Sequence, residues 1–415
     1  MAKDNKDFFI KKNNWSEVKD RLLKCYLTPY FQKILKNRRP IYYVDCFAGK
    51  GKFEDGKPGS PIIALSARDQ CLENTTLYGV KGQIETCFIE LNHAEELAKN
   101  IDIYRSKNGH PVVISGKFED NIEDLLNKKK GANIFLYIDP YGIKALDSEL
   151  FRKFDAYKFH SLEILINFNS FGFFRDACRV LGVNELNDDA FLCLDELVEY
   201  DPTNISASQQ PEALLTKIAG GDYWKSIVLK YKNKKINGYT AEKIFSQEYK
   251  KTLQKRYSYV LDMPIRLKPG QHPKYRMFHI SNHQDGCYLM AQNMLRRKNE
   301  LFINIQQGGQ LSFLNCFNNL HVNHENKAVS TNEISAMLKK KILSFNNEFS
   351  LTKLLAEFMN EYGIVCDFKV VQLLLDDFKE KGIIDIVRNP AFTKTEKPTV
   401  FWEERKNKKI TIRIK

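Results

Sequence analysis

Three acids standing where short apolar runs end are the part of this 415-residue chain best suited to chemistry. Asp45 sits in Tyr43-Val44-Asp45-Cys46-Phe47-Ala48-Gly49-Lys50-Gly51. An apolar run meets a carboxylate there. Glycines at 49 and 51 then let the backbone come close to a ligand and take φ values that side chains forbid. A nucleotide-phosphate cradle fits poorly, because neither G-x-G-x-x-G nor G-K-[ST] is present and Gly51-Lys52 is followed by Phe53. Glu90 ends Cys87-Phe88-Ile89-Glu90, a position from which an acid can accept from both hydroxyls of a ribose. Asp139 lies in Ile138-Asp139-Pro140-Tyr141-Gly142, where the proline confines the acid to an extended backbone and so aims its carboxylate. Further on, Asn167-Phe168-Asn169-Ser170-Phe171-Gly172-Phe173-Phe174-Arg175 mixes aromatics with polar groups and can equally line a pocket or fill a core.

The elements that must position these acids alternate. Strand candidates are Ile41–Cys46, Thr86–Leu91, Val112–Ser115, Ile134–Asp139 and Leu162–Asn167, separated by polar, helix-like stretches. Continuous apolar runs of this length at such spacing are what buried parallel strands in β-α-β units produce. A helix over 8–38, bent at Pro29, precedes them, and residues 176–240 read as a helical insertion with loop signals at Gly220-Gly221 and Lys232–Lys235. Tyr257–Lys268 and Tyr275–Ser281, joined through Pro269-Gly270, form a late antiparallel pair at a sheet edge. A polar linker over His321–Thr331 leads to 332–415, read as three helices, Leu351–Tyr362 and Phe368–Gly382 the clear ones. The β-like segments Ile383–Val387, Thr399–Glu403 and Ile410–Ile414 follow. That order resembles a winged helix; a helical cap packed on the main domain is the alternative. The expected organisation is therefore an N-terminal helical segment (1–39), an α/β domain (40–325) and a winged-helix-like domain (332–415).

With the motifs in place, a resemblance emerges. An apolar strand running into D-x-F-A-G-x-G is similar to the first motif of class I methyltransferases, a Rossmann-like fold with a mostly parallel sheet and helices on both faces. The resemblance implies S-adenosylmethionine as cofactor, held by Asp45, Phe47, Ala48, Gly49 and Gly51, with Glu90 on its ribose. Such enzymes also place an acid and an apolar contact against adenine. Phe118 with Glu119 or Asp120 fills that place, although the first slot holds Lys117 and all three residues could simply open a helix. Asp139-Pro140-Tyr141-Gly142 resembles the acid-Pro-Pro-aromatic motif of methyltransferases acting on exocyclic amines, and more closely the Asp-Pro-Phe-Gly form of tRNA guanine-N2 methyltransferases. That implies catalytic roles for Asp139, Pro140 and Tyr141: the carboxylate and a carbonyl accept from the amine, and the aromatic stacks on the base. Over roughly residues 10–300 the chain resembles the three-Cys-motif partner proteins (TcmP). The resemblance rests on Trp15, Tyr26-Leu27, D-C-F-A-G-K-G, Gly59-Ser60-Pro61, Glu90, Asp139–Gly142 and Met277–Met294. It implies a neighbouring protein with a three-cysteine, iron–sulfur motif and a mobile-element or phage-defence context.

Composition sets the outer limits. Hydrophobic residues make up 43% of the chain, enough for real cores. No apolar run approaches the roughly 18–20 residues that span a bilayer, and the first residues lack a signal-peptide core, so a cytoplasmic protein is expected. Nine cysteines without a C-x-x-C pair read as buried reduced thiols, and neither His279/His283 nor His321/His324 has a third ligand nearby, so no metal is expected. Residues 225–300 hold 17 Lys/Arg against 5 Asp/Glu, nearly the whole formal excess of +13. Interleaved tyrosines make this either a phosphate-facing surface for RNA or DNA or a solvated face. The leading reading is a methyltransferase acting on an exocyclic amine of a nucleic acid. Its rival is a nucleic-acid-binding partner that retains the fold without turnover, and a nuclease ranks below both because no D-x-n-E-x-K pattern stands out.

Overall fold

A computed structural model of the chain describes residues 12, 14–77, 82–105, 108–183, 210–266, 273, 275–308 and 329–415. Outside them fall the Pro269-Gly270 turn, Cys193, Cys316, the His321/His324 pair and most of the 321–331 linker and the 184–209 stretch of the insertion. The chain opens with α1 (Asn14–Ile34), one helix that continues through Pro29. A proline removes one intrahelical bond, but Tyr26, Leu27, Tyr30 and Phe31, all buried, pin the helix to the core on both sides of it. The α/β alternation follows: β1 (Ile41–Asp45), α2 (Ser60–Leu77), β2 (Ile84–Glu90), α3 (Ala94–Asn100), β3 (Val112–Ser115), α4 (Phe118–Asn127), β4 (Asn133–Ile138), α5 (Ser148–Phe154), β5 (Ser161–Phe168) and α6 (Ser170–Val180). Helix α6 absorbs the first residues assigned to the insertion. Beyond it come α7 (Pro211–Ala219), α8 (Tyr223–Lys232), α9 (Gly238–Gln254), β6 (Tyr259–Ile265), β7 (Tyr275–Ser281) and α10 (Gln284–Gly308).

The seven strands stand in the order β3-β2-β1-β4-β5-β7-β6. The first five are parallel; β7 lies antiparallel to β5, and β6 antiparallel to β7. The late hairpin thus joins the sheet with its second strand innermost. Side chains alternate across the central strands and enter two separate cores. Ile41, Tyr43, Phe135, Tyr137 and Leu165 face one, with α1, α2 and α10. Val44, Cys46, Leu136, Ile138, Ile164 and Ile166 face the other, with residues of α4 to α9. Helices therefore cover both faces, as a sheet of continuous apolar strands requires.

The C-terminal residues form α11 (Thr331–Leu343), β8 (Phe349–Ser350), α12 (Leu351–Tyr362), α13 (Phe368–Glu380), β9 (Ile384–Asn389) and β10 (Lys409–Ile414), with the strands ordered β8-β10-β9. Thr399–Glu403 is irregular and not a strand; it belongs to the long β9–β10 connection, which makes only isolated bridges. This unit shares the core of α1 and α10. It also closes a free sheet edge. Asn360 of α12 accepts from Val260 N at 2.8 Å and from Gln254 Nε2 at 3.0 Å, while its own amide donates to Ser258 O at 3.1 Å. One side chain thereby stands in for a neighbouring strand on β6. Asn360→Ala leaves the Val260 N–H without a partner, and a loss of about 1–3 kcal/mol is expected in urea unfolding. A variant as stable as the parent would show that Asn360 does not seal this edge.

Candidate active site

Strand order reverses direction between β1 and β4, and a doubly wound sheet opens a crevice outside the carboxyl ends of its strands at such a point. A cleft of about 520 Å³ occupies it. Of the residues singled out from the sequence, Phe47, Ala48, Gly49, Gly51, Glu90, Phe118, Glu119, Asp139, Pro140 and Tyr141 line this cleft. Asp45 does not; it is fully buried one residue before the lining residue Cys46. Asp120 does not line it either, so of the two acids opening α4 only Glu119 is at the cleft.

The loop after β1 is held by its own backbone. Gly49 and Gly51 both have positive φ, 60° and 77°. A Cβ on Gly51 would stand 2.8 Å from Leu97 Cδ1, so the position is closed to side chains twice over. Glu90 fastens the turn: Oε2 accepts from Gly49 N at 2.7 Å, and Oε1 accepts from Asn92 N at 2.9 Å and His93 N at 3.1 Å. Three of its roughly four acceptor positions are taken. Phe47 and Phe118 meet at 5.2 Å between ring centres, joining the first loop to the start of α4.

Asp139 is more heavily engaged. Lys19 Nζ donates to its two oxygens at 2.9 and 2.7 Å, Asn167 Nδ2 at 2.6 Å, and the Tyr137 hydroxyl at 3.2 Å. A carboxylate offers about four lone-pair sites, so this one is saturated. Lys19 comes from α1 and was missed, although a signal existed: at helical spacing with Leu22, Leu23 and Tyr26 it is a cation on an apolar face. Asp20 is drawn in beside it, paired with Lys12. Burial pushes Asp20 up to about 6 against the pull of Lys12. Helix α1 is therefore a wall of the site.

Asp45 carries the cleft's main electrostatic cost. Its Oδ1 accepts from Phe47 N at 3.3 Å, while Oδ2 is buried with no hydrogen-bond partner. Burial raises its carboxyl to about 7, against the opposing pull of the nearby Ser60 side chain and the Phe47 N–H. A second orphaned acceptor, Asn167 Oδ1, is buried at the end of β5. The 167–175 stretch divides by chemistry. Asn167 and Asn169 line the cleft, whereas Phe168, Phe171, Phe173 and Phe174 are core, with Phe173 stacked on Phe245 at 4.2 Å.

Among the described residues no group of His, Cys, Asp and Glu could hold a metal. Six of the seven described cysteines are buried and all seven are free; Cys25 is exposed. His279 is buried against Glu163 at 3.0 Å, a structural pairing inside the sheet. The basic 225–300 stretch is dispersed. Arg276 lies in the core, bound twice to Glu242 and once to Asp262, and Lys250 donates to Asn360 O. Lys230, Lys232, Lys234 and Lys235 remain exposed around the end of α8. No helix among the described residues is long and apolar enough to cross a membrane.

Because its folded-state value is raised, un-ionised Asp45 favours folding fully below about pH 4, and that contribution is lost as pH rises through about 7. Asp45→Asn removes the buried charge. It should be more stable than the parent at pH 8, by no more than about 4 kcal/mol for a shift of roughly three units, with the gap closing by pH 4 to 5. Urea unfolding at the two pH values checks this; a gap that does not change with pH would place the charge of Asp45 in solvent.

No family model matches the chain, and no curated protein matches it. Among solved structures it is similar to the plantazolicin methyltransferase BamL, determined in complex with a triazolic desmethylPZN analog and SAH. Identity is 13% and the TM-score 0.29, over 67% of this chain and 90% of that one. An overlap so loose carries no argument about the site, whose reading rests on its own geometry.

Proposed function

We propose that the chain is an S-adenosylmethionine-dependent methyltransferase whose acceptor is an exocyclic amine of a nucleic acid. The observation that carries this reading is a switch-point cleft backed by a buried carboxylate, Asp45, that lacks a countercharge. An orphaned acceptor there suits a cationic ligand. The Gly49–Gly51 backbone and Phe47 would hold such a cofactor, Glu90 would take a ribose hydroxyl with its remaining acceptor site, and Phe118 and Glu119 would bound its adenine. When bound, the cofactor supplies an electrophilic methyl group on a sulfonium. The chain's own contribution is alignment and exclusion of water, which suffices for transfer to a neutral nitrogen and calls for no strong base. Asp139 and Pro140 would orient the amine, and Tyr141, half exposed at the mouth, would stack on its ring.

Saturation of Asp139 adds a condition: a substrate amine can be accepted only by displacing Lys19, whose ammonium stands where that amine would bind. The same saturation favours the second reading, a nucleic-acid-binding partner that keeps the fold without turnover. On either reading the C-terminal unit is a winged helix, and the TcmP resemblance adds a three-cysteine iron–sulfur protein as partner and a defence context. Helix α13 itself is a poor groove reader, since its two lysines, Lys369 and Lys379, are outnumbered by Asp376, Asp377 and Glu380.

Glu90→Gln should weaken S-adenosylmethionine binding in isothermal titration, through both the ribose and the loop it fastens, by about 1.5–3 kcal/mol. Unchanged affinity would remove Glu90 from the cofactor site. Asp139→Asn should leave cofactor binding nearly intact and lower methyl transfer by about 10²–10³, while Tyr141→Ala raises the apparent KM. Lys19→Met should retain or raise turnover if Lys19 yields to the amine. Melting temperatures recorded beside activity separate these effects from unfolding. Mass spectrometry of RNA and DNA from cells with and without the gene decides between the readings: cofactor binding with no methyl mark supports the non-catalytic partner.

A further inference from the structure

We infer that the chain has a second binding site, a cationic cleft at the opposite end of the sheet that holds the phosphate backbone of a nucleic-acid duplex. It deepens the proposed function only in taking the partner to be nucleic acid, and it is independent of methyl transfer. The cleft, of about 1580 Å³, lies between the 35–40 segment that leads into β1, the entry to β2, and the 404–411 end of the β9–β10 connection. Lys36, Arg38, Arg39, Lys406 and Lys409 line it, all exposed, and none makes an ion pair among the described residues.

The acids at the cleft are already committed elsewhere. Asp285 pairs with Lys33 at 2.6 Å, and Glu85 lies 3.5 Å from Lys129. Glu404 accepts from Thr352 N at 2.7 Å, Thr352 Oγ1 at 2.6 Å and Ile410 N at 3.1 Å. Five cations therefore face solvent together outside any ion pair among the described residues, in a lining that carries seven Lys/Arg against three acids, and such a field attracts a polyanion. Their field reaches His160, which partial burial, then Arg39 and His283, hold below the usual imidazole range.

The chemistry of the lining selects the polyanion. A concave cleft does not meet a flat bilayer, and its large apolar side chains Leu35 and Ile410 are buried, leaving only Pro29 and Pro40 as apolar contacts for an acidic peptide. Gln32, Asn37, Gln83 and Asn407 add neutral groups of the kind that donate to phosphate oxygens. Among the described residues no aromatic side chain lines the cleft to stack on unpaired bases; this favours a duplex over a single strand. The seven residues of β2, at about 3.3 Å each, put the two clefts roughly 20 Å apart. Duplex held here is anchored, and a different segment of it must reach Asp139.

The test is fluorescence anisotropy with a labelled mixed-sequence duplex between about 50 and 200 mM salt, without cofactor. Five phosphate contacts predict a slope of about 4 to 5 log units per tenfold salt. The combined variant Lys36→Gln, Arg38→Asn, Arg39→Gln, Lys406→Gln, Lys409→Gln should flatten that slope and weaken binding about a hundredfold or more. Asparagine at 38 tolerates the left-handed backbone found there (φ 53°). Changing Lys230, Lys232, Lys234 and Lys235 to Gln should leave the slope as it is. A five-site variant that melts like the parent and keeps the parental slope overturns the inference. So does a parent that binds no duplex at low salt, or one whose phosphatidylserine-vesicle binding alone is lost in the variant. Because cofactor titration and methyl transfer are read separately, failure here leaves the proposed activity to its own tests.

Discussion

A strand buried on both faces must divide its side chains between two cores, and most of this molecule follows from that division on β1, β4 and β5. Odd positions of β1 (Ile41, Tyr43, Asp45) face α1 and α2, while Val44 and Cys46 face the opposite layer. Each strand is then locked in register, since a slip of one residue would exchange the cores. The register brings Asp45 and Asp139 out at neighbouring strand ends on the α1 side, where strand order reverses. A carboxylate fully buried near Tyr43 and Tyr137 is kept from water, and its raised pKa is the direct consequence.

Polar groups recur inside the sheet and are arranged to satisfy one another. Tyr26 donates to Glu163, which also meets His279, so α1, β5 and β7 are joined by one carboxylate. Arg276 meets Glu242 and Asp262, and Ser170 and Ser246 fill further acceptor sites of Glu242, joining β7, α9, β6 and α6. Breaking one partner of such a buried group leaves an uncompensated charge, so these networks specify which helix packs where more than they add net stability. Asp45, like Asn167 at the end of β5 and His279 within the sheet, keeps one side-chain atom without a hydrogen bond. Its position behind the glycine loop makes that an attribute of the cleft and not of the core.

Helix α1 has three tasks. Its apolar face closes the core over β1 and β4, its Tyr26 joins the Glu163 network, and Lys19 reaches Asp139. The unit beyond residue 329 is likewise no appendage: it shares the α1–α10 core and satisfies the edge of β6 through Asn360. Ligand binding that displaced Lys19 would be felt along α1, because the same helix is packed against that core.

The sequence by itself determined the strand-and-helix alternation, because β-branched and aromatic runs of four to eight residues between polar, helix-like stretches have few other uses. It determined the turn at Gly49–Gly51, where positive φ favours glycine, and the acids ending β1, β2 and β4. Local rules sufficed there, since each depends on neighbours in the chain. What only the tertiary structure decided is which partner each group meets. Pro29 leaves α1 whole because residues on both sides of it are held by the core. Thr399–Glu403 has the alternation of a strand but joins no ladder among the described residues. Phe168, Phe171, Phe173 and Phe174 went to the core while Asn167 and Asn169 stayed at the cleft, and part of the basic excess of 225–300, Arg276, lies inside the sheet. Lys19, 120 residues from Asp139, was beyond any local reading: an ion pair across that separation exists only once β4 and α1 have been packed together.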